Sequence, residues 1–307
     1  EKDAGPYSFT LCIEGEGTPY RIDDWTGEVS RMGRYEVRNG RTCVPLTLEP
    51  GEARIIALDL SNSDKLHAVS TTAEDIRVKD GMLQVMALDT GEYETVLSSG
   101  EKIMAGIRVP DAIPLASWDI VVEDWNEGDQ VKNTEEKFGH TTTEVYYTTK
   151  KTKLIFQNCK LAAWKDLPAT RERLASLAGD TPSMAHVSGI GVYTTSFELP
   201  DNWGKANGAY LVMESAGGGT VEVTVNGNKA PGVNIRTLKV DISGLLKPGK
   251  NALRIEVTST LTNRMLQRNY QEKKSGWTDS FPTVQDYGLM GDVRIVPYTV
   301  APLRPCD

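Results

Sequence analysis

Acids, histidines and cysteines are the side chains of this sequence that could do chemistry. There are 42 Asp and Glu residues in 307, so finding candidate acids decides nothing by itself. A carboxylate pair acting as acid and base, or acid and nucleophile, must flank one bond at about 5–9.5 Å. Asp23, Asp24, Glu123, Asp124, Asp279 and Asp286 are available. Asp23 and Asp24 open the stretch Asp23-Asp-Trp-Thr-Gly27, where short acidic side chains cap backbone N–H groups of a turn. Glu123 and Asp124 are neighbours in an alternating run, so a strand sends them to opposite faces. No catalytic residue is assigned.

The histidines, at 67, 140 and 186, are far apart in the sequence. Ser188 lies in Val187-Ser-Gly-Ile-Gly191, which lacks the G-x-S-x-G elbow and is followed by no strand-to-helix turn. A glycine-assisted entrance to a strand explains it better than a nucleophile. Gly217-Gly-Gly219 precedes a strand and not a helix, so it reads as a turn and not a phosphate cradle. The cysteines, at 12, 43, 159 and 306, form no C-x-x-C pair, and zinc is not expected. No D-x-[DN]-x-[DN]-G loop is present either. No metal or cofactor is assigned, although jelly rolls do hold structural calcium through carbonyls and carboxylates. Two intradomain bridges, Cys12–Cys43 and Cys159–Cys306, fit an extracellular protein. Three connectivities are formally open, and reduced buried thiols are the alternative. The absence of any Asn-x-Ser/Thr sequon lends secretion no support.

The elements that must position these residues are short strands. Tyr7–Ile13, Tyr20–Ile22, Tyr35–Val37, Cys43–Leu48, Arg54–Leu58, Ile76–Val78, Leu83–Leu88 and Ile103–Val109 are strand-like and separated by turn chemistry. Asn39-Gly40 is a hairpin signal, as is Asn226-Gly227 after the period-two run Thr220–Val225. Further alternating runs are Trp118–Trp125, Val192–Phe197, Leu238–Ile242, Asn251–Val257 and Val293–Val296. Trp118, Trp125 and Trp164, on strands or strand ends, are expected in the core or at a domain interface. Lys165–Leu177 is the one stretch that could hold a helix, with Leu174 and Leu177 three apart. The polar, Thr-rich segment Asn126–Lys153 reads as a long surface loop with room for one strand at Glu144–Thr148, and Arg264–Ser275 reads as a second loop.

These features predict an all-β fold of two antiparallel β-sandwich domains, 1–112 and 113–307, joined near Pro110 and Pro114. Hydrophobic content of 39% and charged content of 25% are ordinary for a globular protein. The net charge of −8 argues against nucleic acid or an anionic membrane as partner, and no apolar run approaches the roughly 20 residues of a membrane span. The chain starts at Glu1 without an initiator Met, so a processed product or an excised piece is expected.

The succession SGIGVYTTSFELP, GAYLVMES, VTVNGNKAP, VDISGLLKPGKNALRIEVTSTLTNRM and YGLMGDVRIVPY resembles the galactose-binding-like jelly roll of large multidomain glycoside hydrolases. It is most similar to the C-terminal region of the α-L-rhamnosidase type, glycoside hydrolase family 106. It is more loosely similar to the sugar-binding domain of β-galactosidase and β-glucuronidase relatives. The resemblance covers roughly Leu115 to Tyr298. Upstream, PYRIDDWTGEV followed by VPLTLEPGEARII resembles the small β-domain that follows the catalytic barrel in such enzymes. In such enzymes the catalytic acids sit on that barrel, and this chain has no alternating βα pattern to build one. The resemblance implies a non-catalytic region of a secreted α-L-rhamnosidase-like hydrolase. Its partners would be carbohydrate and a catalytic domain of the same parent or a companion chain. A freestanding carbohydrate-binding module or lectin is the alternative, and a small hydrolase with its own carboxylate pair the third reading.

Sugar recognition combines an aromatic platform with planar polar groups for the hydroxyls. The stretch after Val257 offers both: Asn263, Arg264, Tyr270, Trp277, Asp279 and Tyr287. The competing expectation is that Arg264 and Tyr287 hold this loop against the sandwich. Trp203, following Pro200-Asp-Asn202, is a weaker second candidate at a loop tip.

Overall fold

The computed structural model describes residues 5–61, 65–177, 182–204, 206–217, 219–267 and 283–305. The chain is all-β. Its first six strands are β1 (Tyr7–Glu14), β2 (Thr18–Ile22), β3 (Val29–Arg31), β4 (Glu36–Arg38), β5 (Arg41–Leu48) and β6 (Ile55–Asp59). They make two three-stranded antiparallel sheets, β1-β5-β4 and β3-β2-β6, around a small core of Tyr35, Val44 and Leu46. Asn39-Gly40 turns β4 into β5 with both residues at positive φ, 53° and 74°, the conformation that the twist of a tight hairpin requires. Cys12 and Cys43 stand directly opposite each other on β1 and β5 and are joined by a disulfide across Cα atoms 4.0 Å apart. Cys159 carries a free, half-buried thiol, and Cys306 lies outside the described residues.

Strands β7 (Ala68–Thr71), β8 (Asp75–Lys79), β9 (Met82–Ala87), β10 (Gly91–Leu97) and β11 (Lys102–Ile107) follow. Their inward residues, among them Ile76, Leu83, Val85, Leu97 and Ile107, form a second core. The remaining strands are β12 (Ile113–Pro114), β13 (Trp118–Lys137), β14 (His140–Cys159), β15 (Gly189–Leu199), β16 (Asn207–Ser215), β17 (Val221–Val225), β18 (Asn228–Lys229), β19 (Lys239–Asp241), β20 (Gly249–Thr258) and β21 (Met290–Pro305). Together with β8 and β9 they build a sandwich of two six-stranded sheets, β14-β13-β15-β20-β17-β18 and β19-β16-β21-β9-β8, the latter with β12 attached to β21. Period-two alternation in β17 and β20 sends one row of side chains inward from each strand. The third and largest core holds Trp118, Ile120, Phe156, Trp164, Tyr193, Leu211 and Ile255.

One strand runs across the expected division at 112. β21 pairs with β16 over residues 290–299 and with β9 over 299–305. It thereby places Ile295 in the large core and Leu303 in the second core. The ladder shifts register at Pro302, where the missing N–H cannot pair.

Three expectations are corrected. Asn126–Lys153 is not a loop: β13 and β14 are each 20 residues long and pair antiparallel out to Lys137↔His140. Beyond Asn126 this ribbon leaves the core, and its outer half is exposed on both faces, so no apolar alternation marks it in the sequence. Arg264–Gln267 belongs to a short helix, α2 (Thr262–Gln267), and is not a loop. Trp203 is not at an exposed tip; it is 8% exposed and part of the large core. Within Lys165–Leu177 the helix is confined to α1 (Arg171–Ser176), where the Thr170 hydroxyl caps the first turn by accepting from the Arg173 N–H at 3.3 Å. Trp118 and Trp164 are core residues. Trp125 is half-buried and lies under Lys151, whose Nζ is 4.6 Å from the ring centre.

Candidate functional site

α2 and residues 283–287 carry the described half of the residues expected to touch sugar. Arg264 lies on α2 and reaches Asp124 on β13. Its Nη2 donates to both carboxylate oxygens at 2.7 Å, and its Nε donates to the Trp125 carbonyl at 3.2 Å. Ser188 completes the node: its N–H donates to Asp124 Oδ1 at 3.1 Å, and its Oγ accepts from the Arg264 N–H at 3.2 Å. The two charged side chains are 9% and 1% exposed. Burial pushes the Asp124 carboxyl above the ordinary aspartate value, while Arg264 and the Ser188 N–H act in the opposite direction.

Asn263 makes a reciprocal pair with the Gln285 backbone. Its Nδ2 donates to the Gln285 carbonyl at 2.9 Å, and its Oδ1 accepts the Gln285 N–H at 2.8 Å. Tyr287 is buried, shares a 2.5 Å hydrogen bond with Thr260 Oγ1, and meets Trp164 edge to face at 6.0 Å. Lys165 and Asp286 form an ion pair at 2.6 Å beside it. The structure thus brings Asn263, Arg264 and Tyr287 together and engages their polar groups within the chain. Tyr270, Trp277 and Asp279 lie outside the described residues.

The other acids singled out in the sequence have local partners. Asp23 Oδ1 accepts the N–H groups of Trp25 and Thr26 at 3.1 and 2.8 Å. Burial raises its pKa, but these bonds outweigh that and leave the carboxyl below its usual range. Glu123 accepts from Trp125 Nε1 at 2.8 Å and pairs with Lys151 at 3.1 Å, on the face opposite Asp124. His67 stacks on Tyr35, with ring centres 3.7 Å apart. Among the described residues, no three His, Cys, Asp or Glu side chains cluster as metal ligands, and no helix is long and apolar enough to cross a membrane.

Two constellations have no local signature in the sequence. One is the Asp124 partnership of Arg264, 140 positions away. The other centres on Arg77 of β8, which donates to the Tyr210 hydroxyl at 2.5 Å and the Tyr298 hydroxyl at 2.8 Å. Tyr298 donates in turn to Asp241 at 2.9 Å, so the outer face of the sheet ties β8 to β16, β19 and β21. Burial pushes Tyr210 up to about 12. Trp25, legible in the sequence only as a turn residue, stands 45% exposed beside β17 and β18.

The chain is thus an all-β protein of antiparallel sheets packed as sandwiches. No family model matches the sequence, and no curated protein matches it. Among solved structures, the chain is similar to a rhamnosidase from Novosphingobium sp. PP1Y, at 18% identity and a TM-score of 0.56, covering 96% of this chain and 22% of that one. It is also matched to a β-D-glucuronidase from Dictyoglomus thermophilum, at 18% identity and a TM-score of 0.35, covering 64% of this chain and 29% of that one. The first likeness is one of fold, and the second is too slight to argue from. The chain spans about a fifth of the rhamnosidase's length.

Proposed function

We propose that the chain is the non-catalytic β region of a secreted α-L-rhamnosidase-like glycoside hydrolase, of the family 106 type, and that it supports the catalytic barrel. The observation that carries this reading is the fold match over 96% of this chain to 22% of a rhamnosidase. The remainder of such an enzyme must pack somewhere, and β1 offers a place. Tyr7, Phe9 and Leu11 alternate along this strand and are 59%, 45% and 37% exposed. A contiguous apolar row of this kind marks an interaction surface. The Cys12–Cys43 disulfide supports an oxidising, extracellular setting.

The test is hydrolysis of an aryl α-L-rhamnoside by the natural polypeptide containing this sequence and by the 307-residue chain alone. Activity in the first and none in the second is expected, with Phe9→Lys weakening the joint between the two parts. A natural polypeptide consisting of this chain alone, binding glycans without hydrolysing them, would favour a freestanding binding module. Hydrolysis by the isolated chain would place a carboxylate pair within it and overturn the proposal.

A further inference from the structure

We propose that the pocket beneath Trp25 binds a single neutral pyranose ring. This deepens the reading above by naming a place where the chain itself touches saccharide. Trp25 is presented by the turn that Asp23 caps, and its ring leans on Gly232. A Cβ at position 232 would lie 2.7 Å from Trp25 Cδ1 and 2.9 Å from Nε1, closer than side-chain carbons pack. Glycine is therefore what lets the indole settle here, while the residue stays 45% exposed.

Beside the ring is a pocket of about 160 Å³. This is below the several hundred Å³ of drug-sized ligand sites and suits one ring, not a chain. Its lining includes Val221, Val223 and Val233, at most 9% exposed and part of the large core, and Ile235, an apolar side chain 42% exposed. Glu222 and Lys229 form an ion pair at the rim and keep 43% and 68% of their side-chain surface in solvent.

Each feature selects the same chemistry. A pyranose has an apolar C–H face that stacks on an aromatic ring, and hydroxyls that both donate and accept. The rim supplies a carboxylate acceptor and an ammonium donor side by side. Because their charges cancel, the rim offers no net attraction to an acidic or a basic ligand. The site therefore suits a neutral sugar over a uronic acid or an amino sugar.

The experiment is titration of the whole 307-residue chain with methyl α-L-rhamnopyranoside, methyl β-D-galactopyranoside and methyl β-D-glucopyranoside, read on the Trp25 indole N–H resonance. Saturable binding of at least one glycoside is expected, with a Kd of about 1 mM, weakened about tenfold or more by Trp25→Ala. Glu222→Gln, which leaves the indole in place, should weaken binding without moving the free-state resonance far. If no glycoside shifts the Trp25 signal, or if both variants bind as wild type does, the proposal is overturned. Should Trp25→Ala fail to fold, Glu222→Gln alone decides. Hydrolysis by the natural polypeptide without binding at Trp25 would sink this subsite and leave the enzyme reading intact. Binding at Trp25 in a natural polypeptide that hydrolyses nothing would do the reverse.

Discussion

Replacing Asp124 by Asn should destabilise the large sandwich by about 3–5 kcal/mol, because it strands a buried guanidinium. The size follows from the geometry. Arg264 Nη2 loses a charged partner to which it donates twice at 2.7 Å, and the two side chains are only 9% and 1% exposed. Water cannot replace the lost partner at that depth. The substituted amide would keep the bond from the Ser188 N–H and the local shape, so the loss would report charge and not volume. For a chain of this size the change corresponds to a fall in Tm of roughly 6–20 °C. The assay is urea unfolding followed by tryptophan fluorescence, since Trp118 and Trp164 are 1% exposed in the same core. The double variant Asp124→Asn/Arg264→Met should recover much of the loss, giving a coupling energy of about 2 kcal/mol or more. A loss below about 1 kcal/mol, or losses that simply add, would mean that the pair behaves like an exposed ion pair. The structural role assigned to Arg264 would then be refuted.

Three further outcomes are expected. Burial, joined by the Arg31 charge and opposed by the bond from Nδ1 to the Lys65 carbonyl, holds the pKa of His67 below its ordinary value. The unfolded chain therefore takes up this proton first, so stability is full above about pH 6.5 and falls as pH drops toward the lowered value. Urea midpoints at about pH 7.5 and 5.5 check this, and His67→Phe should flatten the difference. Reducing Cys12–Cys43, which spans 31 positions, should destabilise the first sheets by up to about 4 kcal/mol; hydrogen exchange of β1 and β5 with and without reductant measures it. Phe138→Asn should stabilise the ribbon tip by about 1 kcal/mol, since Phe138 is 99% exposed at φ 53° where Asn is tolerated and an aromatic is strained. Slower amide exchange along 130–147 is the readout.

Much of the fold was legible because it is written locally. Asn39-Gly40 and Asn226-Gly227 occupy the left-handed turns that their residue types require, and the alternation of β17 and β20 is the pattern of a half-buried strand. The outer ribbon was not legible, because residues such as Thr141–Thr143 pair across the ribbon yet bury nothing. α2 was missed for a related reason. Six residues cannot hold a helix by propensity, and this one is anchored by Arg264 on a strand 140 positions earlier. Of the expected sugar contacts, Asn263, Arg264 and Tyr287 have residue types that suit either ligand or scaffold. Only their partners distinguish the two roles, and those partners are remote in sequence.

The path of β21 bears on how the molecule can be made. Leu303 completes a core whose other residues lie between 66 and 109, apart from Ala301 packed at its margin, and residues 299–305 supply the partner for β9. Synthesis from the N-terminus therefore leaves that core unfinished while residues 110–298 are translated. During that interval β9 presents a bare edge, the kind of surface that recruits the wrong strand. The second core should thus close late, only once residues 299–305 have been made. A premature stop only a few codons before residue 303 would leave the large sandwich most of its contacts, yet deprive a region far upstream of its closing strand.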